Sequence, residues 1–238
     1  MLIPVRELIR NFKVNPVGVL HVGAHKAEES TDYILHGWGN VVWVEAQPEL
    51  VQQLKLVLPT EGNIVIEAAV WNESNVECEF HIASNGESSS LLELGSHINS
   101  YPDIKYDRTV MIKTKRLDEV IPRETFANFL NVDVQGVELK ALQGLGDRIS
   151  EFKWIYTEVN NSEVYKECTL IKDLDAFLSE KGFSRVTTRW VLGAGWGDAL
   201  YVNNCLDGIK VRSAAVKIKD LNWLLRQLAS RIKGKLKF

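Results

Sequence analysis

Cysteine is scarce in this 238-residue chain: Cys78, Cys168 and Cys205 are widely spaced and form no CxxC pair. An odd, dispersed set argues against a disulfide framework and against a zinc site, so the thiols are expected to be reduced, in a cytoplasm. Glycine (16) and proline (6) are too few for a collagen-like or low-complexity chain. With 45% hydrophobic and 25% charged residues, the composition is that of a folded protein with a real core. No apolar run approaches the roughly 20 residues that span a bilayer. The opening MLIPVRELIRNFKV carries Arg6, Glu7 and Arg10 where a signal peptide needs its apolar stretch, so export is not expected. A basic surface is also missing. The net charge is -3, and it is uneven: from Cys205 onward nine Lys and Arg oppose two Asp, about +7, which leaves the rest at about -10. An acidic body argues against nucleic acid as the partner.

What is present is an alternation of apolar runs and helical patterns. VRELIRNF, ESTDYILHGW, PELVQQLKLVL, VELKALQGL and LIKDLDAFLSEKG read as helices; VGVLHVG, NVVWVEA, NIVIEAAVW, FLNVDVQG and WIYTEVN read as buried strands. Strand and helix in turn, with nearly continuous apolar strands, predict a parallel, doubly wound α/β sheet. FSRVTTRWVL and DALYVNN are separated by Gly193-Ala194-Gly195-Trp196-Gly197 with no helix, so they are expected to close the sheet as an antiparallel hairpin. Between about residues 72 and 128, VECEFHIA and TVMIKTKRL alternate like solvent-facing strands around a polar stretch, which predicts a β insertion after the third strand.

The chemistry gathers at strand ends. The first strand ends in His21-Val22-Gly23-Ala24-His25 and the second in Glu45-Ala46. A carboxylate about 20 residues beyond such a glycine can accept hydrogen bonds from ribose hydroxyls. A pyrophosphate turn needs three glycines, and this one has Gly23 alone, which suits an adenosine cofactor without phosphates, S-adenosylmethionine, or else a tight turn. Asp133, ending the fourth strand beside the central crevice, is either a carboxylate that takes a substrate proton or a helix cap. Glu158, in the fifth, is either catalytic or a structural ion-pair partner.

GVLHVGAHKAEES, VEAQPEL, EAAVWN, ESSSLL and LNVDVQGVELKALQG, in that order, resemble the motifs of FkbM-type S-adenosylmethionine-dependent methyltransferases; YTEVNNSEVYKECTLIKDLDAFL and GWGDALYV resemble the later motifs of one branch. The likeness covers about residues 17–204, and His25 and Gln135 depart from it, where many members carry Asn and Glu. It implies a class I methyltransferase fold and O-methylation, often of sugar hydroxyls. Carried over residue by residue, it implies cofactor contacts at His21, Gly23, Ala24, His25, Glu45, Ala46, Ala68, Ala69, Ser89, Ser90, Asp133 and Gln135, with Asp133 and Glu158 catalytic. The serine cluster from Ser88 would close over the cofactor carboxylate. Asn160, His97, Trp196 and Asp198 are the substrate-side candidates, Trp196 for stacking on a sugar face. No spacing signals a metal; an Asp133, Glu158 and Asp198 oxygen site is the most that could be drawn.

Residues 1–204 are thus expected to form the methyltransferase domain and 205–238 a basic amphipathic helical tail. In the tail Ala214, Ile218, Leu221, Leu225, Leu228 and Ile232 share one helical face and Trp223 lies off it. That face would dock on the body, on a second copy or glycosyltransferase partner, or on a membrane surface. The expected acceptor is a deoxysugar, nucleotide sugar or surface-glycan precursor. The rivals are an N-methyltransferase, a lipid- or polyketide-directed one, and a catalytically silent binding module.

Overall fold

The computed structural model describes residues 1–205, Trp223 and 225–229. Helix α1 (Val5–Phe12) precedes β1 (Val19–Val22), α2 (Ser30–Leu35), β2 (Val41–Glu45), α3 (Pro48–Val57) and β3 (Asn63–Glu67). The insertion carries β4 (Ala69–Val70), β5 (Glu77–Ala83), α4 (His97–Ser100), β6 (Tyr106–Lys115) and α5 (Leu117–Val120). The alternation resumes with β7 (Phe129–Val132), α6 (Glu138–Gln143), a 3-10 turn (Gly146–Glu151), β8 (Trp154–Asn160), α7 (Ile171–Glu180), β9 (Phe183–Trp190) and β10 (Trp196–Asn203).

The main sheet has the order β3-β2-β1-β7-β8-β10-β9, with β10 antiparallel to both its neighbours and the other pairs parallel. Both faces are covered, which explains the unbroken apolar runs. Leu20, Val22, Val42, Val44, Leu130 and Val132 point to the α5–α7 side, and Val19, Val41, Trp43, Phe129 and Trp154 to the α1–α3 side. Each such buried side chain stabilises the fold by about 1.5–3 kcal/mol before entropy is counted. The order in which strands are laid down reverses between the parallel neighbours β1 and β7, and a crevice opens there at the carboxyl ends of the strands, where ligands of such sheets bind.

Three expectations need correction. NIVIEAAVW is two strands: the chain leaves the main sheet at Ala68, whose N–H donates to the Glu45 carbonyl at 2.9 Å, and β4 joins β6 in a separate three-stranded sheet of order β4-β6-β5. Trp196 and Gly197 belong to β10, so the final connection is shorter than the glycine count suggested. In the tail, the contacts with the body among the described residues are not made by the expected apolar face. Leu225 and Leu228 are exposed, whereas Trp223 donates from Nε1 to the Trp190 carbonyl at 3.0 Å and Gln227 bonds both Trp190 and Leu192. Ala214, Ile218, Leu221 and Ile232 lie outside the described residues. No described helix is long and apolar enough to cross a membrane, and the three cysteines are free thiols.

Candidate functional site

Gly23 sets the geometry of the crevice. Its φ is +85°, and a Cβ built there would lie 1.7 Å from the Asp133 carbonyl oxygen, so the ends of β1 and β7 approach as only glycine permits. After β7 the chain turns sharply through Gln135 (φ +55°) and Gly136 (φ +104°). The turn is held from below by Glu138, a fully buried residue that sequence reasoning passed over as one more helical position: its Oε1 accepts from Gly136 N at 3.0 Å and Val134 N at 3.2 Å. An acidic residue in the first turn of a helix was the available signal.

Two cavities meet at this turn, sharing Gly23, His25, Asp133 and Gln135 as walls. The narrower, about 70 Å³, is an apolar slot between Ala68, Ala69, Phe80 and Leu91, with Ala46 and Ser89 beside it. Glu45 stands at its mouth, 6% exposed, accepting from His25 N and Gln47 N, each at 2.8 Å. These take one lone pair on each oxygen and leave others for a ligand. His25 Nε2 is buried without a partner and faces Gly86, where a Cβ would sit 3.2 Å away.

The wider cavity, about 390 Å³, is lined by the carboxylates of Glu28, Glu29, Glu87, Asp133, Glu158 and Asp198 and has no Lys or Arg among its lining residues. Its other wall is aromatic: Tyr101, Tyr165, His97 and Trp196. His97 packs its ring on Tyr101 and Tyr165 at 4.9 and 5.6 Å between centroids, and its Nδ1 is buried without a partner. On the α1–α3 face of the sheet the polar side chains His21, Asn131 and Tyr156 form the floor. His21, stacked on Trp43 at 4.8 Å, is pushed down to about 4 by burial.

Asp133, Glu138 and Glu158 bring carboxylate oxygens within 4.8 Å of one another. Burial, then the Asp198 carboxylate, pushes Asp133 up to about 6. Asp133 is exposed to the cavity, so solvent there relieves part of that penalty, while its direction stands. Burial pushes Glu138 up to about 7 and, with Asp133 and Glu138 as neighbours, holds Glu158 well above the usual carboxylate range. The Gln135 amide bridges the group, donating to Asp133 Oδ1 and, at 3.4 Å, to Glu158 Oε2, while its Oε1 accepts from Tyr165.

Most residues singled out in the sequence thus converge on the two cavities, and three behave differently. Ser90 lines neither: it is 1% exposed and ties the serine loop to the Gln135 carbonyl at 2.7 Å. Asn160 is wholly buried outside the cavity wall, its Nδ2 3.5 Å from Glu158 Oε1. Asp198 lines the cavity, but Leu2 N (2.6 Å) and the Tyr156 hydroxyl already occupy its Oδ2. The acidic triplet is Asp133, Glu138 and Glu158, not the set with Asp198 that the sequence suggested.

Comparison with known proteins matches the Methyltransferase FkbM domain to residues 21–185. The 2-O-methyltransferase NoeI of Sinorhizobium fredii (strain NBRC 101917 / NGR234) is 23% identical over 166 residues, 65% of this chain and 67% of its own. Among solved structures, a Streptococcus thermophilus protein proposed to be a hemolysin shares the fold, with a TM-score of 0.51 at 12% identity over 95% of this chain and 75% of that one. A Streptococcus pneumoniae protein proposed as a tRNA (m1A22) methyltransferase, solved with S-adenosyl-L-methionine, gives 0.45 at 16% identity over 92% and 82%. The expected class I methyltransferase fold, a mostly parallel sheet ending in antiparallel strands, is the one observed.

Proposed function

The chain belongs to the FkbM methyltransferase family, whose domain covers residues 21–185, and from that premise we propose that it moves a methyl group from S-adenosylmethionine to a sugar hydroxyl of a deoxysugar or surface-glycan precursor. The observation that carries the reading is Glu45, buried at the end of β2 with acceptor capacity to spare, beside an apolar slot and a single-glycine turn. The slot takes a flat base, Glu45 takes the ribose hydroxyls, and no Lys or Arg lines the slot for a phosphate. The carboxylates beyond Gly23 suit a ligand bearing cationic centres. When bound, the cofactor supplies an electrophilic methyl on a sulfonium.

The chain's own work is to place the acceptor and receive its proton. Trp196, Tyr101, Tyr165 and His97 offer apolar ring faces and polar edges of the kind that hold a sugar. Asp133 is the group that would receive the acceptor hydroxyl's proton, since it opens onto the cavity and sits near 6, close to the working range of a general base. Glu158, held protonated by its neighbours, steadies Asp133 through the Gln135 amide. The related 2-O-methyltransferase favours an oxygen over a nitrogen acceptor. Isothermal titration with S-adenosylmethionine and its demethylated product tests the cofactor; no binding of either identifies a silent module. Screening nucleotide sugars and short glycans for methyl transfer tests the acceptor.

A further inference from the structure

Strands β9 and β10 put two unlike pockets side by side. Asp198 on β10 lines the acidic cavity, and its register partner Arg189 on β9 lines a second groove of about 500 Å³ at the edge of the sheet. Leu2 runs between them, its N–H on Asp198 at 2.6 Å and its carbonyl 3.5 Å from Arg189 Nη1. The groove is walled by Arg6, Glu7 and Arg10 of α1, by Arg189, and by Trp223 and Arg226. Arg6 and Arg10 stand four apart on α1, so both point away from the buried Val5, Leu8 and Phe12 stripe.

Arg189 is 5% exposed; a two-pronged pair to Glu7 at 2.8 and 3.1 Å offsets its charge, the Trp223 ring stacks 5.0 Å from it, and its Nε is sealed off with no acceptor. Arg6, Arg10 and Arg226 are exposed at the rim, and no ion pair among the described residues offsets them. Three planar guanidinium forks around one concavity match the oxygens of a phosphate, which they grip bidentately. The neighbouring cavity has six acidic side chains and no Lys or Arg in its lining, and the Met1 ammonium that also lines it is already paired with Glu29 at 2.9 Å, so it disfavours that same group.

We propose that the groove is a phosphate site, and that it holds the phosphate or pyrophosphate of an acceptor whose sugar enters the cavity next door; the second half rests on the sugar reading above. The acceptor class is then a phosphate-linked sugar, either a soluble nucleotide-type diphosphate or a lipid-linked one.

The test uses the full chain, with inorganic pyrophosphate and a nucleoside diphosphate as calorimetric probes and phosphatidylglycerol vesicles in a flotation assay. The expected result is saturable pyrophosphate binding that weakens with salt and falls at least about tenfold in the Arg10→Gln/Arg226→Gln double variant, with affinity for S-adenosylmethionine unchanged. Both arginines are exposed, so circular dichroism should show the variant folded like the parent. Pyrophosphate binding without vesicle binding assigns a soluble phosphate ester; vesicle binding that pyrophosphate displaces assigns a lipid headgroup. Absence of saturable binding to either probe, or affinities that the double variant leaves intact, overturns the site. A chain that binds pyrophosphate but not S-adenosylmethionine refutes the methyltransfer reading and leaves the groove standing.

Discussion

Glu45 holds two backbone donors and still has acceptor capacity, so its removal has two separable costs. Glu45→Ala should weaken S-adenosylmethionine by roughly 1.5–3 kcal/mol, the scale for lost charged hydrogen bonds, and should also lower the melting temperature because the amides of His25 and Gln47 lose their acceptor. Titration of the folded variant reads the first cost; unchanged affinity would remove the ribose role. Asp133→Asn, close to isosteric, should cut turnover severely while leaving stability level or raised, because one member of a crowded acidic group is neutralised. Turnover within a few-fold of the parent would reduce Asp133 to a strand-end residue. The same crowding fixes a pH dependence. Asp133 (about 6), Glu138 (about 7) and Glu158 keep protons in the folded chain that the unfolded chain has released, so ligand-free stability falls as pH rises through about 4 to 7. A cationic cofactor favours the ionised forms, so its affinity should rise over the upper part of that window; calorimetry across pH, with proton release measured in two buffers, checks both the sign and the groups. Glu45 was legible because spacing from a glycine at a strand end is a sequence property. Glu138 and Tyr165 were not, because their roles arise from a turn with two positive φ values and from a loop 30 residues away.

Among the elements, the junction of β1 and β7 has the least tolerance. Gly23→Ala would put a Cβ 1.7 Å from a backbone oxygen, where no flexible side chain can yield, in a conformation that L residues rarely adopt. The expected outcome is loss of soluble protein or, if the strands part, a chain that melts well below the parent and no longer binds S-adenosylmethionine; thermal melts and titration would show it, and a normal melting curve would mean that the two strand ends are not locked together. The helices and the central strands were readable because β1, β2, β7 and β8 are buried on both faces and each helix on one, which leaves direct hydrophobic signatures. The division of the third run was not, since NIVIEAAVW stays apolar across Ala68 and only the pairing partner changes, from β2 to β6. Asn160 misled for a related reason. It shares strand parity with Glu158, but Trp196 stands opposite it in the register, and it ends wholly buried instead of facing the cavity.

For the molecule as a whole, the open question in the sequence was what the basic tail touches, and among the described residues its contacts with the body are polar and aromatic. Trp223 and Gln227 tie to the carbonyl of Trp190, Gln227 accepts from Leu192 N, and the Trp223 ring covers the buried Arg189 guanidinium. Helical periodicity groups residues by face and cannot say which face meets the body, which is why Leu225 and Leu228, of the stripe expected to meet the body, a second copy or a membrane, are not the residues that meet the body. Among the described residues, removing everything after Asn204 uncovers Arg189 and deletes one cation–π contact and three hydrogen bonds, together about 2 kcal/mol or more. For a domain of this size that lowers the melting temperature by roughly 4–8 °C. Intrinsic affinity for S-adenosylmethionine should survive in the folded fraction, because Glu45, the apolar slot and the acidic cavity are all built upstream of the cut. The exposed Leu225 and Leu228 then have a use of their own only if something else covers them, and anionic liposomes distinguish the cases: salt-sensitive binding by the full chain that pyrophosphate does not displace and that the truncated chain loses places the tail on a membrane, whereas a mass change without liposome binding places it on a second copy. A truncated chain that keeps both its melting temperature and its mass would show that the Trp190 anchor carries no stability.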